Sequence, residues 1–306
     1  MVHPMIDTGC RRTDAGIATR EISSTGPDRM NTQDHRPTIS VVIPTCSRDD
    51  FLPEAVQSAL DQSVAILEVI VIDDASDTDP RPQLERFGER VRYERLAQRS
   101  GANVARNRGI ELARGDLVAL LDDDDLWLPE KTETQLRVMG DAGEACLCIA
   151  RDLDGPPDAP WRMEDVEQGL RRSNPCGTSG LIARREALLA EPFDPELRRA
   201  QDWDVFVRLA RRGTLVHVDE PLYLRRVGHA RITTAALSQS PRELYATAAA
   251  AHKHRAWLGE RAYRRRLAIL LLSFISQRRN KLCYIAASLW HAGPRATIGV
   301  LASKLR

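Results

Sequence analysis

Leu117-Val118-Ala119-Leu120-Leu121-Asp122-Asp123-Asp124-Asp125-Leu126-Trp127 is the stretch around which the rest of the chain is organised. Five apolar residues run without a break into four acids. An apolar run of that length predicts a fully buried strand, as in a parallel sheet. Four adjacent carboxylates repel one another, and a fold gains nothing from that by itself. A divalent cation reverses the balance, because it becomes the largest local charge. Hard cations such as Mg²⁺ take oxygen ligands, often one or two carboxylates plus substrate phosphates. Strand alternation would turn Asp122 and Asp124 to one side and Asp123 to the other. The acids would stand beyond the carboxyl end of a strand, where open α/β sheets bind ligands. The competing reading is an acidic surface loop capping a helix that starts near Pro129.

Upstream, the same grammar repeats. Thr38 to Pro44 (TISVVIP) reads as a first strand, and Phe51, Ala55, Val56, Ala59 and Leu60 mark a helical face after it. Asp49 or Asp50 could cap that helix. Leu67 to Ile72 reads as a second strand, and it too ends in acids, Asp73 and Asp74. Val91 to Arg95 predicts a third strand. Asn103 to Ala113 predicts a helix opened by Gly101 and closed by Gly115. Strands alternating with helices make a parallel sheet, and two strands deliver acids to one edge.

Downstream, the spacing predicts a helix over 129–139 and a strand over 146–150. Residues 152–172, with Pro156, Pro157 and Pro160, form a long irregular loop. A turn-rich Asn174-Pro175-Cys176-Gly177-Thr178-Ser179-Gly180 precedes a strand at Leu181 and a short helix over 185–190. Val205, Phe206, Leu209 and Ala210 recur at helical spacing, so Asp202 stands at a helix N-terminus, where the dipole favours a carboxylate. A plain cap is the simpler role for it. Asp204, two residues on, points elsewhere. Leu215 to Val218 and Pro221 to Arg225 read as two more strands.

Composition bounds the class. The chain has 306 residues, 42% of them hydrophobic, and a net charge of +1. That small net charge hides an asymmetry. After Ala251 there are twelve Lys/Arg and one acid, Glu260; the first 250 residues carry 32 basic and 42 acidic side chains. Six scattered cysteines, Cys10, Cys46, Cys146, Cys148, Cys176 and Cys283, have no zinc spacing and fit reduced thiols. The first thirty residues lack the apolar core of a signal peptide. No apolar run approaches the ~20 residues of a membrane span. Residues 1–37 read as a disordered extension, 38–237 as the α/β domain, and 238–306 as a basic helical region. Within that region Leu267 to Ile275 is apolar nearly all round and bracketed by arginines. It reads either as a hairpin packed on the body or as an interfacial membrane element.

Taken in order, these segments resemble glycosyltransferase family 2, inverting enzymes of the GT-A fold. The resemblance spans roughly Ile39 to His229. It rests on Ser40-Val41-Val42-Ile43-Pro44-Thr45, on Val69-Ile70-Val71-Ile72-Asp73-Asp74-Ala75-Ser76, and on Gly101 to Gly109. It continues through Gly115-Asp116, the acid block with Trp127, Pro129 and Lys131, then Thr178-Ser179-Gly180, Arg184-Arg185, Phe193-Asp194 and Asp202-Trp203-Asp204. It implies an α/β fold, a mainly parallel GT-A-type sheet flanked by helices, with the C-terminal helices as an extension. It implies that Pro44, Thr45 and Asp74 line the nucleotide pocket and that Arg106, Asp122 and Asp123 meet the nucleotide sugar. Asp124 becomes the metal ligand for Mn²⁺ or Mg²⁺, and Asp202 the general base. The implied partners are a nucleotide-sugar donor, UDP-linked by expectation, and a glycan or lipid-linked acceptor, with no nucleic acid. Apart from the resemblance, the scattered thiols point to a cytoplasmic location, and the basic C-terminal region to peripheral contact with an anionic membrane. Three positions depart from the family pattern: Cys46-Ser47 replaces an aromatic and Asn, Gln201 replaces an acid, and Arg226-Val227-Gly228-His229 replaces Arg-x-His.

Three rivals remain. A nucleotidyltransferase would want a glycine-rich phosphate loop after the first strand, and Pro44 to Asp50 has no glycine. A signalling receiver module puts its acidic pair after the first strand, whereas here the pair follows the second. A catalytically inactive nucleotide-sugar-binding relative is compatible with Cys46 and Gln201.

Overall fold

The strand that carries the acid block lies where two halves of a single sheet meet. The structure, a computed structural model, describes residues 37–48, 50–153, 155, 165–227 and 237–304. The extension over residues 1–36, Asp49, most of the Pro-rich loop, and Gly228 and His229 lie outside the described residues. Eight strands form the sheet: β1 (Ile39–Thr45), β2 (Glu68–Asp73), β3 (Val91–Arg95), β4 (Leu117–Leu120), β5 (Asp125–Trp127), β6 (Ala145–Asp152), β7 (Leu181–Arg184) and β8 (Leu215–Arg225). Their order is β3-β2-β1-β4-β7-β6-β8-β5. β1, β2, β3 and β4 are mutually parallel. β7 runs antiparallel to β4 and β6, and β5 antiparallel to β8. The sheet is therefore mixed, and its parallel half matches the βαβ reading.

The chain winds outward from β1 to β3 and then returns to place β4 on the other side of β1. That reversal makes a topological switch point, where α/β sheets open a crevice beyond their carboxyl ends. Thr45 ends β1, Asp73 ends β2, and the acids follow β4 directly. β1, β2 and β4 are buried along their whole length, as expected of central strands covered on both faces.

Helices cover the sheet: α1 (Leu52–Leu60), α2 (Arg81–Leu84), α3 (Ala102–Leu112), α4 (Lys131–Met139), α5 (Val166–Arg172), α6 (Arg185–Ala190) and α7 (Gln201–Arg212). The C-terminal region adds α8 (Pro241–Ala246), α9 (Ala249–Lys253), α10 (Arg255–Leu271), α11 (Lys281–Ala292) and α12 (Pro294–Lys304). Leu258, Tyr263, Leu267 and Ala268 of α10 are buried in the same core as the sheet. The apolar segment 267–275 is thus buried against protein on one side. No described helix is long and apolar enough to cross a membrane.

Four expectations differ in detail. The irregular loop expected over 152–172 ends in a helix, α5 (Val166–Arg172). The two strands expected over 215–225 are one, β8, kept continuous against β6 by register shifts at Cys148–Ala150. α1 begins without a side-chain cap; Pro53 in its first turn needs no N–H partner. Strand geometry stops at Leu120, so alternation does not govern the acids. They occupy a turn that leads into β5, closed by Asp125 N–H donating to Asp122 O at 3.1 Å.

The amino end of the switch is packed too tightly for a side chain. A Cβ on Gly115 would lie 2.7 Å from Ser40 N and 2.9 Å from Thr38 O. These are backbone atoms of β1 and its lead-in, and they cannot rotate away. Gly115→Ala is therefore expected to destabilise the fold by about 1–3 kcal/mol, as overpacking does. Urea unfolding checks it, and an unchanged midpoint would show that the β1–β4 contact is loose.

Candidate active site

The acid block is held in place by groups from four other segments. Arg106, on α3, donates to Asp122 Oδ1 at 2.7 Å, and the Thr178 hydroxyl donates to the same carboxylate at 2.8 Å. Thr45, the last residue of β1, donates to Asp123 Oδ2 at 2.7 Å. One Arg48 nitrogen bridges Asp123 at 3.1 Å and Asp124 at 2.8 Å. Ser179 donates to Asp125 Oδ2 at 2.6 Å. Asp123 and Asp124 thus share one guanidinium and do not face opposite sides. The turn after Leu120 frees them from the strand's alternation.

The environments separate the four acids chemically. Burial alone would push Asp122 up, but Arg106 and Thr178 pull it below the usual carboxylate range. Burial pushes Asp123 up to about 6, against the pull of Arg48 and Thr45. Asp122, Asp124 and Asp125 each offer an oxygen, and those atoms lie within 4.8 Å of one another. An all-carboxylate oxygen set of that span fits a hard divalent cation. Asp123, tied to Thr45 and Arg48, is not part of it.

A cavity of about 830 Å³ opens over the block. Pro44, Thr45, Asp74, Arg106, Asp122, Asp123, Asp124 and Asp202 all line it. Every site residue expected from the sequence therefore reaches one cavity, although Pro44 and Asp202 lie 158 positions apart in the chain. Asp73 and Asp74 divide their work. Asp73 turns to β3, accepting from Tyr93 at 2.6 Å and Arg95 at 2.7 Å. Asp74 accepts from the backbone N–H groups of Ser100 at 2.6 Å and Gly101 at 2.8 Å, just before α3.

α7 presents its two acids in different directions, since residues two apart lie far round a helix from one another. Asp202 lines the cavity. Its Oδ1 accepts from Trp203 N–H at 2.8 Å and its Oδ2 from the Asn174 amide at 2.6 Å. Burial pushes its carboxyl up, and those two bonds offset only part of the push. Ala200, just before the helix, has φ 54, a left-handed conformation that non-glycine residues seldom hold outside functional turns. Asp204 is fully buried and meets α9 and its flank, with His254 Nε2 at 2.7 Å and Lys253 Nζ at 3.2 Å. Burial would raise it, but His254, Arg208 and Lys253 together hold it below the usual range.

Each departure from the family pattern that lies in described residues has a local account. Gln201 donates from Nε2 to the Leu197 carbonyl at 2.8 Å, which a carboxylate could not do. Ser47 sits at φ 54, a region that Asn tolerates better than most residues. Cys46 lines the cavity where an aromatic would stand, its thiol 3.4 Å from Asp74 O.

The chain matches the family model described as Glycosyl transferase family 2 over residues 40–202. The chain belongs to that family. A Bacillus subtilis protein bearing the name of a teichuronic acid biosynthesis glycosyltransferase, TuaG, is 41% identical over 189 residues, covering 58% of this chain and 74% of that one. Among solved structures, Staphylococcus aureus TarS 1–349, in complex with UDP-GlcNAc, superposes with a TM-score of 0.60 at 19% identity, over 85% of this chain and 82% of that one. The mannosyltransferase PcManGT of Pyrobaculum calidifontis, solved with GDP-Man and Mn²⁺, gives 0.60 at 18%, over 89% and 80%. At these identities the likeness is one of fold, and it is the GT-A-type fold expected.

Arg48, Asn174, Thr178, Ser179 and Arg266 were not among the expected site residues. The turn-rich 174–180 segment carried a signal for three of them. Arg266 carried none, because it arrives from α10. Its guanidinium lies 3.6 Å from the centre of the Trp203 ring and donates to Leu170 O and Ser173 O. Those carbonyls lead directly to Asn174 and so to Asp202. Burial pushes Arg266 down to about 9.

Asp204 therefore joins α7 to the C-terminal helices, while Asp202 faces the cavity. Asp204→Ala would take the carboxylate from buried His254, while Arg208 keeps Glu191 and Lys253 keeps Asp194, and is expected to cost about 1–3 kcal/mol in urea unfolding. The lowered Asp204 pKa adds stability that is present above the usual Asp value near 4 and lost as pH falls through the lowered one. The Ala variant should show less of that acid loss. A variant as stable as the parent would mean that this network holds nothing together.

Proposed function

We propose that this glycosyltransferase transfers a sugar, with inversion, from a nucleoside-diphosphate sugar to an acceptor hydroxyl in polysaccharide or lipid-linked glycan assembly. A UDP-linked donor is the reading we favour, and the work is done on the cytoplasmic side of a membrane. The observation that carries it is the convergence of Thr45, Asp74, Arg106, the acid block and Asp202 on one cavity. The name of TuaG supports a polysaccharide product, and the ligands of TarS and PcManGT support a nucleotide-sugar donor.

Transfer makes a doubly charged nucleoside diphosphate as leaving group. A Mn²⁺ or Mg²⁺ ion held by Asp124, with Asp122 and Asp125, would act as a Lewis acid toward that diphosphate. The remaining work falls to the chain's own side chains. Arg106 and Arg48 hold the carboxylates in one arrangement, so that the site needs no rebuilding when donor enters. Thr45 and Asp74, at the ends of β1 and β2, border the part of the cavity suited to the nucleoside. Asp74 also fixes the Ser100–Gly101 turn, and with it the start of α3 and Arg106.

Asp202 takes the proton from the acceptor hydroxyl. Its burial raises its affinity for that proton. The Asn174 amide and the Trp203 N–H leave it acceptor lone pairs while fixing its orientation. With one base and attack in line with the leaving group, the anomeric centre inverts.

Asp202 is the second residue of α7, whose N-cap position is Ala200, so the cap expected from the sequence is not its role. Asp202→Asn keeps a side-chain oxygen for the Trp203 N–H, so thermal stability should hold. A lost general base lowers turnover by ~10²–10⁴-fold. Donor affinity, read by calorimetry, should stay near that of the parent while transfer collapses. Near-normal transfer by the variant would move the base elsewhere and remove the inverting mechanism argued here.

A further inference from the structure

α11 carries an apolar stripe on its outer face. Leu282, Cys283, Ala286, Leu289 and Trp290 follow helical spacing, and all are exposed. Leu282 is 81% and Trp290 84% exposed. The inner face is the one that packs: Ser288 is buried and its hydroxyl meets Thr297 of α12 at 2.8 Å. Apolar helix faces normally turn to the core. Single exposed apolar residues need no explanation, but a contiguous stripe marks an interaction surface.

α12 packs on both α10 and α11. Between α10 and α12 lies a cleft of about 970 Å³, lined by Arg261, Arg264, Arg265 and Arg295 together with Pro294 and Ile298. Ile298 is itself 63% exposed. Glu260 is the one acid in that lining, and both its oxygens are taken, by Arg255 at 2.6 Å and Arg264 at 3.1 Å. Arg261 and Arg295 are exposed and make no ion pair among the described residues. From Arg261 to Arg306 the sequence has ten Lys/Arg and no Asp or Glu.

Charge selects the occupant. A second copy docked face to face would set this positive surface against itself. Residues 1–36 carry five basic and five acidic side chains and bring no net negative charge. An anionic bilayer offers an apolar layer for the stripe and phosphates for the cleft.

We propose that α10, α11 and α12 form a docking surface for an anionic phospholipid bilayer. Leu282, Leu289 and Trp290 enter the boundary between headgroups and acyl chains, and one lipid phosphate sits among Arg261, Arg264, Arg265 and Arg295. This deepens the membrane-side placement proposed above and rests on it. Arginine suits the phosphate, because its planar fork donates two bonds to neighbouring oxygens.

The test is co-sedimentation of the full chain with phosphatidylglycerol and phosphatidylcholine vesicles across a salt series. It is read beside quenching of tryptophan fluorescence by brominated lipid. Binding should favour phosphatidylglycerol and fall steeply with salt. Each basic residue at such a surface contributes about fivefold in partition, equivalent to ~1 kcal/mol. The double variant Arg261→Gln/Arg295→Gln should therefore lose roughly twenty-fold. Arg90→Gln/Arg137→Gln removes the same charge from the body and should change little. Trp290→Phe should lose most of the quenching, and Leu282→Ala/Trp290→Ala should weaken binding with unchanged circular dichroism. If both double Gln variants weaken equally and quenching survives Trp290→Phe, adsorption is diffuse; this surface is then wrong while membrane-side placement stands. No binding at low salt overturns both. A concentration-dependent dimer that Leu282→Ala/Trp290→Ala abolishes, without vesicle binding, makes the stripe a protein interface and likewise overturns the proposal.

Discussion

Mutual repulsion among four successive carboxylates is the constraint on which this structure turns. Asp122 to Asp125 cannot sit together at the end of a buried strand unless other groups offset them. The fold supplies those groups from distant parts of the chain: Thr45 from β1, Arg48 from the loop behind it, Arg106 from α3, and Thr178 and Ser179 from the turn before β7. Each contact joins segments far apart in sequence, so satisfying the acids also assembles the cavity. Charge-assisted bonds are the strong ones, and they are directional. The block therefore acts as a template around which the carboxyl edge of the sheet is arranged.

A second consequence concerns the C-terminal helices. Their basic residues look like a tail in sequence, yet several of them are tied to protein groups, Arg278 among them, buried on the Ser273, Leu237 and Gln239 carbonyls. Lys253 joins His254 on Asp204, and Arg266 stacks on Trp203 while holding the carbonyls that precede Asn174. α7 is thus fixed from behind by the C-terminal helices and presents Asp202 to the cavity in front. The same helices turn Arg261, Arg295 and the apolar stripe of α11 outward. One face braces the cavity wall and the other faces solvent.

The parallel half of the sheet was legible because β1, β2 and β4 are short apolar runs, the last two followed by acids, a pattern with few alternative folds. Asp74 and the acid block were legible in the same way, since strand ends at a switch point share an edge, whereas Arg106 and Asp202, on helices α3 and α7, were named from the family resemblance. The turn at Asp122–Asp125 was not, because periodicity carries no information once Leu120 ends the strand. β5 was hidden by its length of three residues. The union of two expected strands into β8 depends on a bulge opposite Cys148–Ala150, which the β8 segment does not encode locally. Asn174 and Arg266 approach Asp202 through tertiary packing alone. No local pattern marks a side chain whose partner lies 28 residues away or on another helix.

The central claim is that the acid block holds a divalent cation for a nucleotide sugar. Calorimetric titration of UDP-, GDP- and dTDP-sugars into the wild-type chain, in Mn²⁺ and again in EDTA, tests it most directly. The account predicts saturable binding of one nucleotide class in Mn²⁺, lost in EDTA and lost in Asp124→Ala, with the fold of that variant intact. Equal affinity with and without the metal would contradict it.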